Sequence, residues 1–204
     1  MATASAELLQ PMFQDALEML ALTWAAFRRH DAAGRELAAA LGRSIHKREK
    51  DLTERLLTTE PAGASVTFIP AHLERAGDAI EGLLRCLRTM ESEGTVFTER
   101  GTREINQLME KAIELLECAR DLTMTRNRVL AQHVELESMR FHDLASEFAR
   151  AHEERLIEGV CMPKASSAYL ALLDYLREVV RHARRIGTRM VPQGREAESA
   201  AQQS

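Results

Sequence analysis

Residues 69–87 read IPAHLERAGDAIEGLLRCL and carry the pattern that decides the fold. Their apolar positions recur at steps of three and four, as on one face of an α-helix: Ile69, Leu73, Ala76, Gly77, Ile80, Leu83, Leu84 and Leu87. The same spacing returns near the C-terminus, at Leu172, Leu176, Val179, Val180, Ala183 and Ile186. Because a helix with one apolar face has to pack against other helices, both stretches predict a helical bundle.

The composition favours helices along the whole chain. Hydrophobic residues make up 45% of the 204 residues and aromatic residues only 4%, while Ala, Leu, Glu and Arg are abundant. A net charge of -4, spread over charges of both signs, argues against a general nucleic-acid-binding protein. No segment approaches the roughly 18 uncharged apolar residues that span a bilayer, and the N-terminus lacks a basic leader. We therefore expect a cytoplasmic protein without direct membrane insertion.

Breaks in the pattern divide the chain into six helical stretches, at about 5–30, 33–59, 66–91, 96–126, 128–158 and 164–191. The break at Asp31 recurs at Asn127, an offset of 127 − 31 = 96, so the second half repeats the first. The sequence thus predicts an all-α protein of two tandem three-helix bundles, with six long antiparallel helices in a spectrin-like repeat architecture. The predicted bundles are residues 1–94 and 95–191, followed by a disordered tail at 192–204.

An acidic stripe, Glu74, Asp78 and Glu81, runs along the third stretch beside its apolar face. Carboxylates on adjacent helical turns suit hard or borderline cations, so the stripe is a candidate metal site for Fe, Mn, Mg or Zn. The alternative is a solvated acidic edge that pairs with Arg75, Arg85 or a neighbouring helix.

The segment LERAGDAIE, residues 73–81, resembles the signature of the PhoU family, which opens the third helix of each of two repeated three-helix bundles. The sixth stretch carries a degenerate copy, DYLREVVRHARRI at residues 174–186, which keeps the His-Ala pair at His182 and Ala183. The resemblance covers nearly the whole chain through its repeat and helix order. Residues 152–167, HEERLIEGVCMPKASS, are most similar to the branch associated with sodium/phosphate cotransporters.

The resemblance implies a cytoplasmic regulator or adaptor of phosphate transport or phosphate homeostasis that acts by protein contact and is not an enzyme. Its partner would be a phosphate transporter or the sensor or regulatory protein of that transporter. A second copy of the chain, in a homodimer, is a further candidate partner. Some members bind metal clusters through the Glu-xxx-Asp pair, which corresponds here to Glu74 and Asp78. In the second copy the aligned residues are Arg177 and Arg181, so no second cluster is expected.

Arg177, Arg181 and Arg184 form an arginine stripe on the sixth stretch, where the third carries its acidic stripe. Three roles stay open for this stripe. It pairs with the acidic stripe, within the chain or across a dimer; it binds phosphate or an acidic partner segment; or it is a solvated face.

Histidines and serines give weaker signals. His46 and His142 are candidate additional metal ligands, whereas His152 and His182 are expected at the surface or its boundary. Ser166 is expected in a loop, as a helix cap. Two other functions stay open: a metal-dependent, ferritin-like helical enzyme, and a helical scaffold unrelated to phosphate.

Overall fold

The computed structural model describes residues 2–29, 31–60 and 64–190. It contains six helices: α1 (Ala2–Arg29), α2 (Ala32–Thr59), α3 (Ile69–Ser92), α4 (Glu99–Thr125), α5 (Arg128–Ile157) and α6 (Pro163–Met190). These ranges contain no β-strand, so the all-α prediction of six long helices is confirmed. The tail predicted to be disordered, 192–204, lies outside the described residues.

The two breaks that revealed the repeat are helix N-caps. The Asp31 side chain accepts a hydrogen bond from the backbone N–H of Gly34 at 3.0 Å and begins α2. Asn127 begins α5 in the same way, accepting from the N–H groups of Val129 and Leu130 at 2.8 and 3.3 Å. Each cap satisfies donors that lack a partner in the first turn of a helix, which favours the start of the helix at that residue.

Two helices begin later than the sequence predicts. A short 3-10 helix occupies Ser65–Phe68, so α3 begins at Ile69 rather than near residue 66. Thr98 caps α4 by accepting from the N–H of Gly101 at 3.2 Å, so α4 begins at Glu99 rather than near residue 96.

The two halves share one hydrophobic core. Within each half the three helices pack against one another, and the halves join where α3 packs on α6 and α1 packs on α4. The contact between α3 and α6 is the most extensive of all the helix pairs. Every helix contributes fully buried side chains to one continuous cluster, including Leu9, Ile45, Ile80, Leu116, Phe141 and Leu176.

A glycine allows α3 and α6 to approach closely. A Cβ atom added at Gly82 of α3 would lie 2.3 Å from the ring of Tyr175 on α6. The third helices of the two halves, which carry the clean and the degenerate motif, therefore lie side by side. In the described part of the chain, no helix is both long enough and apolar enough to cross a bilayer.

Candidate functional site

The acidic stripe of α3 faces α2. Oε1 of Glu74 lies 2.7 Å from Nδ1 of His46, the α2 histidine predicted as a candidate ligand. Glu74 and Glu81 are half-buried and Asp78 is exposed, as expected for a stripe beside the apolar face. The three carboxylates line a cavity of about 210 Å³ together with His46 and Arg43.

The carboxylates of the acidic stripe do not converge on one point, as the ligands of a metal ion would. In residues 2–29, 31–60 and 64–190, no group of three or more His, Cys, Asp or Glu side chains is placed to hold a metal ion. Glu74 lies 2.7 Å from His46, Glu81 lies 4.0 Å from Arg85, and Arg43 lines the same cavity. The carboxylates as placed do not converge on one metal position, and a site at Glu74, Asp78 and Glu81 stays a prediction.

Each residue of the arginine stripe has its own acidic neighbour: Arg177 pairs with Asp174 at 2.7 Å, Arg181 with Glu178, and Arg184 with Glu135 at 3.2 Å. Arg177 also donates to the hydroxyl of Ser146 on α5. Among the described residues, no ion pair joins this stripe to the acidic stripe of α3. Of the three roles left open for the arginine stripe, pairing within the chain has no support in these contacts, because α6 turns Arg177 and Arg184 towards α5. Pairing across a dimer stays a prediction.

The second half contains a buried ionic network that the sequence analysis did not predict. Glu104 of α4 accepts hydrogen bonds from both Nη atoms of Arg155 at 2.7 and 3.1 Å, and from the Tyr169 hydroxyl at 2.6 Å. Arg100 adds a fourth bond at 3.0 Å. Burial raises the pKa of the Glu104 carboxyl, but the hydrogen bonds from Arg155 and Tyr169 outweigh burial and hold that pKa below its usual value. The network therefore keeps a charged carboxylate inside the bundle and ties α4, α5 and α6 together.

His152 belongs to the same interior, contrary to its expected position at the surface or its boundary. Its ring stacks on Tyr169 with 4.2 Å between centroids, and its Nε2 lies 2.8 Å from the hydroxyl of Ser166. Burial, followed by the charge of Arg155, lowers the pKa of His152. Ser166, expected in a loop, is buried in the first turns of α6. The sequence-level prediction was wrong because both residues find partners on other helices.

A cavity of about 250 Å³, here called the rim cavity, lies beside this network. Phe97 and Tyr169 line its interior, and three exposed apolar side chains surround it: Val96, Val160 and Met162, at 70, 58 and 66% exposure. These three residues come from the α3–α4 and α5–α6 connections. Exposed apolar groups beside a concave surface are typical of a contact with another molecule.

The crystal structure of PhoU from Pseudomonas aeruginosa is similar to this chain, with a TM-score of 0.77. The match covers 92% of this chain and 93% of that PhoU chain, at 18% sequence identity. The fold is PhoU-like. None of the protein-family models matches the sequence, and no curated protein matches it. The similarity confirms the fold that the LERAGD segment implied.

The PhoU-like arrangement brings the two motif-bearing helices into contact at His72 and His182, whose Nδ1 atoms lie 3.3 Å apart. His182, expected at the surface or its boundary, is only 5% exposed. That expectation was wrong because α3 covers the side of α6 that carries His182.

Proposed function

We propose that this chain is a cytoplasmic regulator of phosphate transport or phosphate homeostasis that acts by contact with a partner protein. The PhoU-like fold, matched over 92% of the chain, is the observation that supports this proposal. The LERAGD segment at residues 73–78 supports it independently, because it lies on the third helix of the first bundle, where the PhoU signature occurs. The proposed partner is a phosphate transporter or the sensor or regulatory protein of that transporter.

The rim cavity is the proposed contact surface for this partner. Val96, Val160 and Met162 expose apolar surface whose burial against a partner would be favourable, and apolar residues of this kind form the cores of protein interfaces. The wall behind them is held by the Glu104 network, so the surface is formed before the partner arrives.

Deletion of the gene tests the function, and complementation tests the surface. We expect the deletion to change phosphate uptake and the expression of phosphate-starvation genes, and the wild-type gene to restore both. A Val160→Asp, Met162→Asp double variant should fail to restore them, because two charges would enter the interface. A matched Leu37→Asp, Leu57→Asp variant should restore them, since these exposed apolar side chains lie on α2.

An unchanged phosphate response in the deletion strain would overturn the function. Full complementation by the Val160→Asp, Met162→Asp variant would overturn only the contact surface. Far-UV circular dichroism of both double variants checks that they fold.

A further inference from the structure

A neutral histidine pair lies at the contact between α3 and α6. The ring centroids of His72 and His182 are 5.5 Å apart, and their Nδ1 atoms are within hydrogen-bond distance. Burial, together with nearby arginine charges, lowers the pKa of each ring to about 4. Both rings are therefore neutral at pH 7, and each carries one N–H and one acceptor nitrogen.

The neighbours of the pair determine where the two protons lie. Nη2 of Arg181 is 3.5 Å from Nε2 of His182, and a guanidinium can only donate, so this Nε2 is the acceptor. Glu178 is 3.8 Å from the same nitrogen, beyond hydrogen-bond distance. His182 then carries its proton on Nδ1 and donates it to Nδ1 of His72, which leaves the His72 proton on Nε2.

Nε2 of His72 is thus a buried donor that lacks an acceptor. It is shielded from solvent and has no hydrogen-bond partner within the described part of the chain. A buried N–H without an acceptor has lost its hydration and gained no hydrogen bond, so this atom points to a ligand that supplies an acceptor.

Besides burial, four arginine charges act on the His72 ring and lower its pKa. Arg181, Arg185 and Arg189 follow one another at four-residue steps along α6, and Arg75 lies one turn after His72 on α3. Glu178 neutralises Arg181. Among the residues that the structure describes, no carboxylate lies within ion-pair distance of Arg75, Arg185 or Arg189. Within the described residues, three guanidinium groups therefore keep their positive charge uncompensated.

One further contact orients this cluster. The guanidinium of Arg189 lies over the ring of Phe68 at 4.6 Å, so its planar face is occupied and its N–H edge is left for another acceptor. We name the set His72, Arg75, Arg181, Arg185 and Arg189 the histidine–arginine face.

We propose that the histidine–arginine face binds a phosphate-type oxyanion. Guanidinium groups donate in a planar fork that matches phosphate oxygens, and the Nε2–H of His72 supplies a neutral donor. A small oxyanion suits this donor better than an acidic protein segment does, because the nitrogen is buried at the helix contact. The same arginines disfavour a cation at the histidine pair.

Calorimetric titration of the full-length protein tests the proposal, with inorganic phosphate and pyrophosphate as the probes. Ionic strength is held constant, and chloride is the reference anion. We expect saturable binding that weakens about tenfold or more in an Arg185→Gln, Arg189→Gln variant, which removes two charge-assisted contacts. The matched Arg55→Gln, Arg128→Gln variant removes the same charge from exposed arginines on α2 and α5, and it should bind within about twofold of wild type.

Nuclear magnetic resonance of the unmodified protein gives a second test that requires no variant. Added phosphate should shift the Nε2 signal of His72, and His72→Phe should reduce affinity because its ring lacks the donor. The proposal is overturned if neither probe binds saturably or if the two double variants lose affinity equally. None of these outcomes bears on the phosphate response of the deletion strain, so this proposal and the proposed function fail separately.

Discussion

Glu74 and Glu104 are both glutamates on long helices, yet their surroundings give them different chemistry. Glu74 lies at the border of α3 beside the exposed ring of His46, whereas Glu104 is 6% exposed inside α4. The sequence separation of their neighbours explains why the sequence analysis singled out Glu74 and not Glu104. The carboxylates of α3 are neighbours in sequence, but Arg155 and Tyr169 lie 51 and 65 residues from Glu104. The sequence did contain one sign that Glu104 is buried, because this residue interrupts the apolar face that Ile105 and Leu108 define.

We expect Glu104→Gln to lower the free energy of unfolding by about 3 kcal/mol, because Arg155 would keep a buried charge without its carboxylate. Urea denaturation at pH 7 measures this change. Glu99→Gln serves as the control, since its side chain is 94% exposed and it pairs with Arg103 at the surface. The control should change stability by less than about 0.5 kcal/mol. Equal losses in the two variants would contradict a stabilising role for the network.

At the scale of helices, rotation about the helix axis decides which side chains meet. The periodicity of α6 correctly predicted its apolar face, but not that its neighbours are α3, α4 and α5 together. Arg177 and Arg184 consequently contact α5, while His182 contacts α3. Which side chains meet also depends on how closely the helices approach each other. Small residues such as Gly82 allow a close approach.

Gly82→Ala should destabilise the protein by about 1 kcal/mol, since overpacking costs about 1–3 kcal/mol and exceeds the gain of about 1 kcal/mol in helix propensity. The new methyl group would lie 2.3 Å from the Tyr175 ring, which must move. Gly77→Ala is the matched control on the same helix, because its Cβ would lie 3.4 Å from Ile45, close to ordinary contact. Thermal or urea unfolding compares the two variants. The close approach of α3 and α6 would be refuted if Gly82→Ala were as stable as Gly77→Ala.

At the scale of the molecule, the two repeated halves are joined by a continuous core. The helix pairs α3–α6 and α1–α4 bury apolar surface from both halves, and Trp24 of α1 donates to Asn106 of α4 at 2.6 Å. A half separated from the other would expose this surface to water, so the halves stabilise each other.

We therefore expect urea to unfold both halves in a single transition. The fluorescence of Trp24 reports the junction of the halves and circular dichroism at 222 nm reports all six helices, so the two curves should coincide. A biphasic dichroism curve, with one step lacking any fluorescence change, would mean that one half unfolds alone.

The sequence by itself determined the six helices, the breaks at Asp31 and Asn127, the repeat and the resemblance that the PhoU-like fold confirms. These features are local: helical hydrogen bonds reach four residues along the chain, and a cap is formed by its nearest neighbours. Only the tertiary structure decided that Glu104 and His182 are buried and that Arg177 and Arg184 contact α5. Those features depend on how each helix is rotated about its axis and how closely it approaches its neighbours. Packing of the shared core sets both, through contacts between residues that are far apart in sequence.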